Sequence, residues 1–301
     1  MTSTLSGLPP GARVAVLRLR SLGDCVLTTP ALRLLKATRP DLRLAIVVES
    51  RFAEVFHGNP DIDALLPPAP TAIIQWRPQL VLNFHGGTRS MILTAVSGAR
   101  FRAGFAHHRG AALYNIRIPT AQQIFGFDRK VHTAEHLASA IFYLGAERQP
   151  IPRARLFTAA SSGCSRPTLA IHPFAATPEK TWPAEKFLKI AARFKDLQPV
   201  FLAGPGEDAA PFRAYKTLAG APLSETKALL ANATLFIGND SGPAHMAAAF
   251  GVPSVVLFGL SDPIVWAPWR VPSEVITTDG PIDSISVDRV AEAAEALRVA
   301  Q

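Results

Sequence analysis

Short apolar runs of strand character alternate with helix-spaced stretches along this chain, and the alternation starts afresh in its second half. In the first half, residues 13–20 (RVAVLRLR), 42–48 and 80–84 (LVLNF) read as strands. Residues 26–38, 52–57, 89–96 and 132–144 read as helices. Pro30 is expected in the first turns of its helix or at a kink, and Gly145 closes the last helix. Residues 146–167 hold prolines, arginines and serines with little periodicity and read as a linker. Beyond it, strands are expected at 168–172, 199–203, 234–237 and 254–258, with helices at 184–194, 225–230, 244–250 and 287–299. Two such sets predict two open parallel α/β domains, 1–155 and 156–301. Ligands of these sheets bind at the carboxyl ends of the strands, so two facing domains would place an active site in the cleft between them.

Composition narrows the function classes. A hydrophobic fraction of 48% with 18% charged residues fits a chain that buries large cores and argues against disorder. Lys and Arg outnumber Asp and Glu by 31 to 23, a net charge of +8 that favours anionic partners. The basic residues are dispersed and RNA-binding aromatic signatures are absent, so nucleic acid is not the expected partner. A soluble surface with a basic tilt and a site for an acidic acceptor both account for the charge. Cys25 and Cys164 form no C-x-x-C pair, which leaves no zinc site or disulfide framework in the pattern. The first twenty residues lack the apolar core of a secretory signal. The uncharged stretch 241–261 is broken by Gly242, Pro243, Gly251 and Pro253, and it is expected to be a buried helix and strand rather than a membrane span. The expected location is cytoplasmic.

Four segments sit where strands end. In 238–245 (GNDSGPAH), Ser241 suits an N-cap, Pro243 the first helical turn, and Gly242 a close approach to backbone. Free N–H groups at such a helix start suit a diphosphate. Asp240 and His245 go beyond what a capped helix requires. In 18–24 (RLRSLGD), Asp24 would lie near the first turn of a helix, as a general base or as a partner of the helix dipole. The G-x-G-x-x-G dinucleotide fingerprint is absent there. In 172–183 (HPFAATPEKTWP), Lys180 is a point charge able to reach phosphate or a solvated loop lysine. In 204–208 (GPGED), Glu207 or Asp208 could accept from a ribose hydroxyl.

In this order, together with TPAL at 29–32, NPDID at 59–63 and LFG at 257–259, these segments resemble glycosyltransferase family 9, the ADP-heptose:lipopolysaccharide heptosyltransferases. The resemblance implies the GT-B fold, two Rossmann-like parallel-sheet domains facing across a cleft, with the acceptor in the N-terminal domain and the nucleotide sugar in the C-terminal one. It implies inverting transfer of a heptose or related sugar from an ADP-sugar to a lipopolysaccharide-core-type acceptor, without metal or cofactor. Asp24 matches the family's general base, and Lys180 its phosphate-binding lysine. Thr177, Glu207, Asp208, Asp240, Ser241, Gly242 and His245 fall on the donor side. Arg18, Arg20 and Ser21 fall on the acceptor side. The partners so implied are a nucleotide-sugar donor and an acidic glycolipid acceptor, compatible with a peripheral, transient contact at the inner membrane. Where hydroxyl residues often precede the lysine, this chain has Ala175 and Ala176 with Thr177 following, which leaves the donor sugar and nucleotide open. A non-hydrolysing sugar-nucleotide epimerase and a catalytically silent nucleotide-sugar-binding protein share the fold. The first would need a second acid–base pair, for which no motif stands in the sequence.

Overall fold

Val14, Ala15, Val16 and Leu17 are fully buried, so a strand made of them must be covered on both faces. A computed structural model, describing residues 3–158 and 166–299, places them in such a strand. The chain divides into two compact units, 1–152 and 153–301.

In the first unit the strands are β1 (Arg13–Leu17), β2 (Arg43–Val47), β3 (Ala64–Leu66), β4 (Leu80–Asn83), β5 (Phe101–Phe105) and β6 (Ile116–Ile118). They form a parallel sheet in the order β3-β2-β1-β4-β5-β6. Helices α1 (Leu22–Thr38), α2 (Ser50–Ala53), α3 (Pro70–Trp76), α4 (Thr88–Val96), α5 (Ala121–Phe125) and α6 (Thr133–Tyr143) connect and flank them. The second unit has β7 (Thr168–His172), β8 (Gln198–Ala203), β9 (Lys216–Ala219), β10 (Leu235–Asn239), β11 (Ser254–Leu257) and β12 (Ser273–Ile276). Its helices are α7 (Ala184–Arg193), α8 (Leu223–Ala231), α9 (Gly242–Phe250), α10 (Pro263–Trp266) and α11 (Val287–Val299). Its parallel order, β12-β11-β10-β7-β8-β9, repeats that of the first sheet when strands are counted from the start of the unit. In both, the first and fourth strands are neighbours.

Helix α1 starts at Leu22, earlier than expected, so Pro30 lies in its interior. A proline there has no N–H for the carbonyl four residues back. That carbonyl, of Val26, instead accepts a hydrogen bond from the Thr29 hydroxyl at 2.8 Å, and the helix runs on. The uncharged stretch 241–261 resolves into α9 and β11, both largely buried. Among the described residues no helix is long and apolar enough to cross a membrane. Of the expected linker, residues 159–165, including Cys164, lie outside the described residues. Its described part has no helix or strand and buries Ile151, Ala154 and Leu156. Strands β3, β5, β6, β9 and β12, and helices α3, α5 and α10, are additions to the sequence reading.

The core of the second unit closes around Trp182, which is fully buried. Its indole Nε1 donates to the Ile285 carbonyl at 3.0 Å, and its ring meets Phe187 edge-on. In the first unit a glycine admits a buried ring against its strand. A Cβ on Gly104 would stand 2.4 Å from the buried Tyr114 ring. Gly104→Ala is therefore expected to destabilise the protein by about 1–3 kcal/mol, the range for overpacking a filled core. Urea unfolding would show it, and an unchanged midpoint would mean that the Tyr114 ring moves freely.

Candidate functional site

Counted within each unit, the connections leave strands one and four toward opposite sides of the sheet, and ligands of such sheets bind at the crevice opened there. The crevice lies at the ends of β7 and β10 in the second unit, and of β1 and β4 in the first.

In the second unit Asn239 ends β10 with its side chain fully buried. A buried amide must satisfy both its ends. Its Nδ2 donates to the Pro173 carbonyl at 2.9 Å, and its Oδ1 accepts from the Trp182 N–H at 3.1 Å. One side chain thereby pins both ends of loop 174–181, which carries Thr177 and Lys180. The loop also lies against Gly259, where a Cβ would stand 2.3 Å from the Glu179 carbonyl oxygen. Thr177 is exposed and opens the short turn Pro178–Lys180. Lys180 is half-buried and has no ion pair or side-chain hydrogen bond among the described residues.

Ser241 occupies the N-cap position of α9, with Gly242 and Pro243 in the first turn. Its side chain does not cap the helix, contrary to expectation. The hydroxyl is drawn instead to His172 Nδ1, 2.9 Å away at the end of β7. Pro243 has no N–H and the Ala244 N–H donates to the Ser241 carbonyl at 3.2 Å, so the Gly242 N–H is the first-turn amide left without a side-chain cap. Asp240 is largely buried, with Oδ1 4.0 Å from His245 Nε2. His245 is buried in turn, edge-on to Trp266.

Glu207 and Asp208 separate. The Glu207 carboxylate turns inward, where Oε2 accepts from the Gly204 N–H at 2.6 Å and lies 3.3 Å from His172 Nε2. Burial alone would raise its pKa, but the hydrogen bond and charge of His172 and the Gly204 amide outweigh it and hold it below the ordinary range. Asp208 is exposed and accepts from the Ala210 N–H at 2.9 Å, away from this chain of contacts.

In the first unit Asp24 lies in the first turn of α1, with its side chain 26% exposed. Arg18, buried at the end of β1, donates from Nη1 to Asp24 Oδ1 at 3.0 Å. The Ser21 hydroxyl donates to Oδ2 at 2.9 Å. The buried Arg18 Nε has no hydrogen-bond partner among the described residues. Burial lowers the Arg18 pKa, and Asp24 acts against that shift. Arg20 is exposed beside this group.

A histidine cluster, unassigned in the sequence reading, stands next to Arg18. Asn83 ends β4 as Asn239 ends β10, and its Oδ1 accepts from the His85 and Gly86 N–H groups at 3.1 and 3.0 Å. His107 and His136 stack on Phe105 at 5.5 and 3.9 Å, and His108 meets the same ring edge-on. Among the described residues no three His, Cys, Asp or Glu side chains are grouped to hold a metal ion. Three separate segments contribute these rings, so no local spacing announces them. His172 and Asn239 had a faint signal: each is a polar residue at the carboxyl end of an otherwise apolar strand.

Burial, reinforced by neighbouring histidines and Arg18, lowers the pKa of both His108 and His136 to about 4 from an ordinary 6.5. The fold therefore holds both rings neutral where the unfolded chain takes up protons. Stability is expected to fall as pH drops from about 6.5 toward 4, because the unfolded state binds more protons over that window. His136→Phe, which preserves the stack on Phe105, should flatten the decline in urea midpoint between pH 7 and 5. An equally steep decline would remove His136 from the account.

Residues 76–281 match the family model described as glycosyltransferase family 9 (heptosyltransferase). Lipopolysaccharide heptosyltransferase 3 of Escherichia coli is 26% identical over 83% of this chain and 84% of its own. The fold matches that of a family 9 glycosyl transferase from Veillonella parvula, with a TM-score of 0.84 at 22% identity, covering 96% and 98% of the two chains. It also matches E. coli ADP-heptose LPS heptosyltransferase II, with a TM-score of 0.82 at 19% identity, covering 96% and 99%. The fold is of the GT-B class, with two Rossmann-like parallel-sheet domains. With a family match over most of its length and the expected motifs at the ends of its strands, the chain belongs to glycosyltransferase family 9, the heptosyltransferases, and is a glycosyltransferase.

Proposed function

We propose that this enzyme transfers a heptose, or a related sugar, from an ADP-sugar to a lipopolysaccharide-core-type acceptor, inverting the anomeric centre without a bound metal or cofactor. The observation that carries the reading is the held but accessible carboxylate of Asp24. Each of its oxygens accepts one hydrogen bond, from Arg18 and from Ser21, while about a quarter of the side chain stays exposed. A carboxylate oriented in this way can accept a proton from an acceptor hydroxyl. As that proton leaves, the hydroxyl oxygen bonds to the anomeric carbon. The bond from that carbon to the diphosphate breaks on the opposite face, and its electron pair departs with ADP.

The leaving diphosphate gains negative charge. The reading assigns its stabilisation to Lys180, to the uncapped start of α9 at Ser241 and Gly242, and to Thr177 nearby, with Asp240 and His245 shaping the same turn. Glu207 is assigned to the ribose hydroxyls, and Asp208, which faces elsewhere, to none. Arg18 and Arg20 supply the positive surroundings for an acidic glycolipid. The net charge of +8 supports a transient contact with an anionic membrane surface.

The test is incubation with ADP-heptose and lipopolysaccharide lacking core heptose, read as a mass increase of one sugar on the acceptor. No transfer from ADP-, UDP- or GDP-sugars would overturn the proposal. Asp24→Asn should lower turnover by about a hundredfold or more, the usual contribution of a general base, and leave ADP affinity unchanged. An active Asp24→Asn variant would show that the proton goes elsewhere. Lys180→Ala should weaken ADP binding; unaltered affinity would take Lys180 out of the phosphate site.

A further inference from the structure

His172 is the last residue of β7, and its side chain is 5% exposed. It joins the loops of three strands of this sheet: its own, the Glu207 loop after β8, and the Ser241 turn after β10. A carboxylate oxygen can only accept, so His172 Nε2 carries the proton that faces Glu207 Oε2. Nδ1 makes the second bond, with the Ser241 hydroxyl at 2.9 Å. Two consequences follow. The Ser241 hydroxyl is drawn toward His172 and makes no cap bond to α9. Both bonds to Glu207, from His172 and from Gly204, fall on Oε2, so Oε1 remains for a ligand.

We propose that His172 is a positioning residue of the donor site: by holding Ser241 off the start of α9 and Glu207 by one oxygen, it presents both groups to the same nucleotide. This rests on the reading of the second unit as the nucleotide-sugar site. His172 itself need touch no substrate. It works by making the ribose-facing and diphosphate-facing groups one preorganised unit, so that neither has to be ordered when the ligand arrives. The two halves should be energetically coupled, because residues in one hydrogen-bond network do not contribute additively.

Ser241, His172 and Glu207 also stand in the order of a nucleophile, a base and an orienting acid. Used in that way, Ser241 would hydrolyse the nucleotide sugar without an acceptor, and the test separates this from positioning.

ADP binding is measured by calorimetry for the wild type and for His172→Phe, His172→Gln, Ser241→Ala and Glu207→Gln, the last two being small changes that keep the protein measurable if His172→Phe does not fold. His172→Phe is expected to weaken ADP about tenfold or more. His172→Gln keeps an amide donor toward Glu207 and should recover part of that loss. In a His172→Phe background, Glu207→Gln should cost far less than it does alone. In the transfer assay KM for the nucleotide sugar should rise more than kcat falls, with KM for the acceptor unchanged. A purely structural histidine would lower thermal stability and the active fraction but leave the Kd of the folded molecules intact, and that result would overturn the proposal. Additive losses in the double variant would overturn it too, as would acceptor-independent sugar release abolished by Ser241→Ala. A wild type that binds no ADP, UDP or GDP would instead remove the donor-site reading beneath it.

Discussion

The buried amide of Asn239 is the interaction on which the second unit's site depends. A side chain with two donors and an acceptor cannot remain unbonded in an apolar sheet, and it bonds the Pro173 carbonyl and the Trp182 amide. Satisfying it therefore fixes where loop 174–181 begins and ends. Trp182, whose amide meets Asn239, is also the largest fully buried side chain of the surrounding core. The loop bearing Lys180 is thus tied at one point to both the sheet and the core, and a flexible lysine stands on a rigid base. Asn83 does the corresponding work in the first unit. It ends β4, bonds Thr94 of α4 through Nδ2, and holds the turn at His85 and Gly86 through Oδ1. In each sheet the strand facing the crevice ends on an asparagine that shapes the loop beyond it.

The central strands were legible because they are buried on both faces and read as unbroken apolar runs. The strands added by the structure lie toward the sheet edges, where that signal fades. Strand β9 (Lys216–Ala219) is an edge with no fully buried residue, and β6 is three residues long with Arg117 at its centre. Strand β5 carries Arg102 and a glycine kept small by Tyr114, which breaks the pattern of a buried strand. Partners across the sheet decide such segments, and partners are invisible in a linear reading. The early start of α1 has a similar cause. Pro30 reads as a helix beginning until the Thr29 hydroxyl is seen to answer for the missing amide.

Candidate site residues were legible where their contacts are local. Asp24, six residues from Arg18 and three from Ser21, belongs to a single strand–helix turn. Lys180 and the segment around Ser241 stand out by motif and by their place after strands. What could not be read was which groups share a hydrogen bond. Ser241 looked like a helix cap because caps are made by neighbours in sequence. Its actual partner is 69 residues away, and no propensity weighs a histidine on an adjacent strand. Glu207 and Asp208 were likewise indistinguishable as adjacent acids; only the position of His172 gives one of them an inward role. The histidines around Phe105 belong to the same class, since β5 and α6 bring them together from segments with nothing in common.

One topology used twice thus yields two different kinds of control. At the end of the first strand of the first unit, Arg18 reaches an acid within its own turn. Its geometry is set by a short loop and withstands changes elsewhere in the sheet. At the matching place in the second unit, His172 has no acid within its own turn and reaches across the crevice on one side and into the neighbouring loop on the other. Its geometry depends on the relative positions of β7, β8 and β10. A proton acceptor gains from the first arrangement, because one carboxylate must be held in one orientation. A nucleotide has a ribose and a diphosphate several bonds apart, and it gains from the second, in which loops from separate strands are fixed relative to one another before the ligand binds.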